Sequence, residues 1–161
     1  MSTTFKPLYG TSNQAITITL ASLAASATVG RESTVIDNSS NLYLDILLFV
    51  MFETGTVAGN KQILLYSYGT ADGGTTYTEA ATGSDAAFTR KDPTTLRPVA
   101  VIPAVTNSFI HKTGPFSLAQ AWGGVLPQKL GLVFCNDSGA ALSGTAGNNK
   151  MFYQGVQAQG V

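Results

Sequence analysis

The stretch from Leu42 to Glu53, LYLDILLFVMFE, constrains the fold more than any other part of this chain. Read with the two-residue period of a strand, Leu42, Leu44, Ile46, Leu48, Val50 and Phe52 fall on one side, an unbroken apolar face that demands a core. Tyr43, Asp45, Leu47, Phe49, Met51 and Glu53 fall on the other. The outward side of a sandwich strand is normally polar, yet here three large apolar side chains occupy its centre. Burying each is worth about 1.5 to 3 kcal/mol. Leu47, Phe49 and Met51 are therefore expected to meet a neighbouring segment or a second subunit, and they form the candidate oligomer interface. A membrane span fails on length, because the uncharged run Ile46 to Phe52 is far short of the roughly 20 residues that a spanning helix needs.

A chain of 161 residues is of single-domain size and can bury about 68 to 70 % of its unfolded surface without disulfides or metals. With 44 % apolar and 11 % charged residues and no net charge, it is neither disordered nor equipped with a basic footprint for nucleic acid. Its single cysteine, Cys135, offers no disulfide framework and no multi-cysteine metal site, which reads as a reducing compartment. The start MSTTFKPLYG has neither the charged beginning nor the apolar run of a signal peptide, so export is not expected. Free soluble proteins keep their surfaces charged; a surface this rich in Gly, Ala, Ser and Thr is expected to be occupied by other proteins.

Residues 1–13 contain Pro7 and Gly10, scattered aromatics Phe5 and Tyr9, and no periodicity; they read as an arm preceding one sandwich domain over 14–161. Ala15 to Leu20 alternates cleanly, as does Glu32 to Asp37. Beyond the central strand, a turn at Thr54-Gly55-Thr56 and a further strand from Gln62 to Tyr68 predict a hairpin. Gly69 to Asp85 is a Gly- and Thr-rich excursion with its tightest turn at Asp72-Gly73-Gly74. Arg97 to Ile102, bracketed by Pro98 and Pro103, is confined to a sheet edge or a strand end. Ser108 to His111 is a short candidate strand, and Ser117 to Trp122 has helical spacing that Gly123-Gly124 stops at once. Lys129 to Asn136 alternates Leu130, Leu132 and Phe134 against Gly131, Val133 and Cys135, and Met151 to Gln159 closes the chain. About eight short strands and almost no helix predict an all-β, antiparallel two-sheet β-sandwich, jelly-roll-like in order, with a lipocalin-like barrel as the alternative.

Catalytic chemistry has little to work with. His111 is the only histidine and reads as an exposed strand-end residue; Cys135, at an alternating strand position, reads as a small packing residue. Asp45 and Glu53 share a face but lie roughly 26 Å apart at about 3.3 Å per residue, far beyond a glycosidase-like pair. The Asp72 loop lacks the alternating acidic ligands of a calcium site, and no helix follows its glycines to cradle a phosphate. No catalytic residue, metal or cofactor is expected. An aromatic platform for sugars from Tyr66, Tyr68, Tyr77 and Trp122 is the remaining binding alternative, with packing as their competing use.

Three blocks, GRESTVIDNSSNLYLDILLFV (30–50), YSYGTADGGTTYTE (66–79) and GPFSLAQAWGGVLPQKLGLVF (114–134), together resemble a family of small virion proteins of tailed bacteriophages, the capsid decoration or cement proteins. The resemblance spans roughly residues 30 to 134 and rests on strand and turn patterns. It implies a jelly roll that oligomerises, as a trimer or dimer, and binds and stabilises the major capsid protein shell. The protein would then be part of the virion after synthesis in the bacterial host cytoplasm, with neither nucleic acid nor membrane as partner. Phe5 and Tyr9 of the arm, with Asp72 and Tyr77 of the long loop, are the candidate partner-binding residues on that view. The alternative function is a carbohydrate-binding or receptor-contact module of a phage tail or head fibre.

Overall fold

Strict alternation of buried and exposed side chains places Ile46, Leu48, Val50 and Phe52 on an inward face, each at most 1 % exposed, and the rest of the architecture forms around them. The structure, a computed structural model, describes residues 4 to 160. It holds eleven strands: β1 (Phe5–Tyr9), β2 (Gln14–Ile16), β3 (Val29–Glu32), β4 (Ile36–Asp37), β5 (Asp45–Glu53), β6 (Gln62–Thr70), β7 (Ala86–Thr89), β8 (Arg97–Pro103), β9 (Ile110–Ser117), β10 (Lys129–Asp137) and β11 (Lys150–Gly160). A single helical turn, α1 (Leu118–Ala121), is capped by the Ser117 hydroxyl, which accepts from the Gln120 amide, and ends before Gly123-Gly124.

All pairings are antiparallel and form two sheets. Sheet A runs β1-β11-β5-β9 with β2 also on β11; sheet B runs β7-β3-β10-β6-β8 with β4 also on β10. The expected antiparallel two-sheet β-sandwich is what forms. Between the sheets lies the main core, where Ile46, Leu48, Val50 and Phe52 of β5 meet Ile63 and Leu65 of β6, Leu130, Leu132 and Phe134 of β10, and Met151 and Tyr153 of β11. Ile16, Ile18 and Leu20 join it, with Thr17 and Thr19 outward as their alternation predicts. β8, the proline-bracketed strand, is an edge of sheet B.

The expected hairpin fails because the chain crosses from sheet to sheet instead of turning back within one. β5 lies in sheet A and β6 in sheet B, so they make no hairpin. The expected inward run of β5 also starts too early. Leu42 has positive φ (53°), and Asn38 holds the Tyr43 amide (2.7 Å) and carbonyl (3.1 Å) with its side chain. This bend leaves Leu42 and Leu44 exposed and turns the Tyr43 ring in instead, over Gly155, where an added Cβ would lie 2.2 Å from the ring.

Sheet B has a second core on its outer side. β6 and β7 lie at separated positions in the sheet, and β8 is at the opposite edge from β7, so the excursion 71–96 must pass over the sheet and return. Ala81, Phe88 and Leu96 bury there with Tyr68, Val133 and Cys135. This is why β10 is buried on both faces, although its Gly131, Val133 and Cys135 side was read only as the one opposite the core. The roof is fastened through acids: the Glu32 carboxylate accepts from the Thr82 amide (2.9 Å) and hydroxyl (2.7 Å). Asp85 pairs with Arg31 at 2.6 Å.

Candidate functional site

Among the described residues the outer face of sheet A has no such roof. Directly opposed residues of antiparallel strands project to the same face, so the register assembles this surface from distant parts of the sequence. Phe49 of β5 opposes Phe152 of β11, which opposes Ala15 of β2. Their rings stack, with centroids 5.5 Å apart and planes within 9°. One row along, Lys112 of β9, Met51 and Lys150 stand side by side across three strands. Leu47 lies the other way along β5, opposite Gln154. Leu47, Phe49 and Met51 do share the outward face, each half-buried by these neighbours.

β9 is bulged here. Leu48 pairs with Phe116 and Val50 with Thr113, so Gly114 and Pro115 together oppose Phe49. Gly114 has φ +123°, and a Cβ on it would lie 2.5 Å from the Leu48 carbonyl oxygen and 3.3 Å from the Phe49 ring. Only glycine fits this bulge, and its missing side chain helps open a groove of about 710 Å³ lined by Ala15, Phe49, Met51, Lys112, Lys150 and Phe152. The two lysines are exposed, and the described ion pairs, Arg31–Asp85 and Lys129–Asp37, involve neither. Glu53, the nearest acid along β5, is held by Asn148 at 2.9 Å; bonds from Ser143 and Asn148 keep its carboxyl below the usual range.

The described part of the arm is the edge of this sheet. β1 pairs with β11 from Tyr9↔Val156 to Phe5↔Gly160; β5 pairs with β11 only as far as Val156, so β1 and the end of β11 form an overhanging ribbon. Every residue of β1 is exposed, Phe5 by 70 % and Tyr9 by 59 %. Tyr9, opposite Val156, is on the same face as Phe152. Residues 1–3 of the expected arm lie outside the described residues.

The long loops are fastened to their own domain. Asp72 accepts from the amides of Gly74 (3.3 Å), Thr75 (3.0 Å) and Thr76 (3.0 Å) and from the Thr70 hydroxyl. The Thr70 bond, followed by those amides, holds its carboxyl well below the usual carboxylate range. Tyr77 is half-buried, edge-on to Tyr68 at 5.5 Å. In the second loop, Asn149 donates to the carbonyls of Ser143 (2.9 Å) and Thr145 (3.0 Å) and accepts from the Glu53 amide (2.9 Å). Asp72 and Tyr77 thus sit over sheet B, apart from Phe5, Tyr9 and the sheet A face.

The aromatic platform does not assemble. Tyr68 is fully buried and donates to the Ser33 carbonyl. Tyr66 lies under the Arg90 guanidinium, and Trp122 packs against Gly69 and donates to Ser67 Oγ (3.0 Å), on the opposite side of β6 from Tyr66. His111 departs from its expected exposure: it is half-buried in β9, stacked on Phe52 at 4.7 Å and edge-on to Phe109. Burial lowers its pKa against an opposing backbone hydrogen bond at Thr106, and its Nε2 is buried without a partner. Cys135 is buried, and burial pushes its thiol up to about 11, away from thiolate chemistry. Among the described residues no group of three or more His, Cys, Asp or Glu is arranged to hold a metal ion, and no helix is long and apolar enough to cross a membrane.

Phe152, Lys112, Lys150 and Gly114 were not singled out by the sequence. Phe152 does alternate outward along its strand, but its pairing with Phe49 joins residues about 100 positions apart in the chain, and nothing local encodes it. Fold and face together define an all-β sandwich with one roofed sheet and one open sheet that presents an apolar, cationic surface. Compared with family models, curated proteins and solved structures, the chain matches none.

Proposed function

We propose that this chain is a virion structural protein, a capsid decoration or cement protein that binds and stabilises the shell of the major capsid protein. Its contact surface is the outer face of sheet A. The observation that carries this reading is that the face is left open, with Phe49, Phe152 and Met51 beside two lysines without described ion pairs, while the equivalent side of sheet B is roofed by the chain itself. Strand order supports the reading. β2-β11-β5-β9 facing β3-β10-β6-β8 is compatible with a jelly-roll order, an architecture common in viral capsids.

Self-association as a trimer or dimer falls to the ribbon, where Phe5, Tyr9, Leu42 and Leu44 are exposed and Leu44 donates its amide to Val156 at 2.7 Å. A two-fold contact centred on Leu47, Phe49 and Met51 would instead gather four lysines, while the acids of that face, Asp45 and Glu53, are engaged within their own chain. A saccharide-contact role has less support, since its proposed aromatic residues are buried or on different faces. Labelling purified phage particles with an antibody raised against the chain tests the reading: regular labelling of heads is expected, and particles free of the protein overturn it.

A further inference from the structure

We infer that the groove on the outer face of sheet A takes an extended acidic segment of a partner protein, in which two carboxylates flank an apolar side chain. This deepens the proposed docking role by naming the partner's chemistry, and it rests on that reading only for the partner's being a shell protein. At about 710 Å³ the groove is within the range of ligand-binding clefts. Its apolar floor comes from Ala15, Phe49, Phe152 and Met51. Phe49 and Phe152 each cover one face of the other, and ring edges carry the positive end of the aromatic quadrupole. Those edges and the ammonium groups of Lys112 and Lys150 favour negative charge.

Spacing gives the segment its form. Lys112 and Lys150 flank Met51 in one row, so their Cα atoms are about 10 Å apart, twice the distance between neighbouring strands. In an extended segment alternate residues share a face, and acids four positions apart span about 13 Å with one residue of that face between them. Two flexible lysine stems reach such a pair while the central residue meets Met51 and the phenylalanines. A partner without carboxylates would cover two ammonium groups and leave them unpaired, a desolvation cost that selects against it. A second copy brought face to face is less suited, since the acids of this face, Asp45 and Glu53, are already engaged within their own chain, Asp45 by the Ile46 and Ala119 amides and Glu53 by Asn148.

The probe is a capped pentapeptide with aspartate at both ends, phenylalanine at the centre and threonine between, compared with the same peptide carrying lysine at the ends. In proton–nitrogen correlation spectra of the full chain, the acidic peptide is expected to shift the amides of Met51, Lys112, Lys150 and Phe152. It should bind about tenfold tighter than the basic one. The preference should shrink when ionic strength rises from ~0.01 M to ~0.15 M, which shortens the screening length from ~30 Å to ~8 Å. The double variant Lys112→Glu, Lys150→Glu, checked for an unchanged dispersed spectrum, should prefer the basic peptide instead. Equal binding of both peptides, binding of neither, or masking of the same amides by self-association overturns the inference. Failure of the two readings is separable. Peptide binding by a protein absent from phage particles would remove the virion role and keep the groove, whereas heads that accept the double variant as well as the wild type would remove the groove and keep the role.

Discussion

Tyr68 shows how a single side chain joins the two layers on sheet B. Its ring lies over Gly131, its partner in the ladder, where an added Cβ would come within 2.3 Å of the ring, and its hydroxyl donates to the Ser33 carbonyl. Tyr68→Phe should lower the unfolding free energy by about 1 to 3 kcal/mol, because the buried carbonyl loses its donor; urea denaturation with an unchanged slope is the measurement. His111 gives the pH response. Its folded pKa is lowered, first by burial, so the unfolded state binds more protons as the solution is acidified. The stability it supports is complete above its ordinary value near 6.5 and is lost as pH falls through the lowered folded value. His111→Gln should flatten the stability profile below about pH 6.5, and a profile identical to wild type would remove this role. At this scale the sequence was legible where alternation decides, at Ile16, Ile18, Leu20, Leu48 and Phe134. It was silent where a side chain depends on a long-range partner, as Tyr68 does on Gly131, or on a local bend, as Tyr43 does on Asn38.

At the scale of elements, the two sheets differ in what covers them. β10 is buried on both faces, by the main core and by the roof, whereas every residue of β1 is exposed and its described strand partner is the end of β11. Local opening follows such differences in burial. Amide exchange should therefore be slowest in Leu130 to Asn136 and fastest among the strands in Phe5 to Tyr9; protection of β1 equal to that of β10 in the isolated chain would contradict this. The strands themselves were legible in their alternation, and α1 in its spacing and its glycine stop. The roof was not. Gly69 to Asp85 has the composition of a flexible loop, and what fixes it is a set of contacts between Thr82 and Glu32, Asp85 and Arg31, and Glu79 with Thr94 and Thr95. Short polar side chains that read as adaptable surface are, in the fold, the loop's own fastenings.

For the whole molecule, the division of surfaces has a direct consequence in solution. If copies associate through the ribbon, Tyr9→Lys combined with Leu44→Lys should lower the mass measured by light scattering, while Phe49→Lys should leave it unchanged; the reverse pattern would place the contact between copies on the groove. Phe49→Lys keeps the main core intact because Phe49 points away from it, so its effect on docking can be read without loss of the fold. Purified chain added to phage heads stripped of it, followed by sedimentation, tests the central claim most directly. Wild-type protein is expected to saturate the heads and Phe49→Lys to remain in the supernatant; a Phe49→Lys protein that saturates heads at the same concentration would contradict the assignment of the sheet A face as the docking surface.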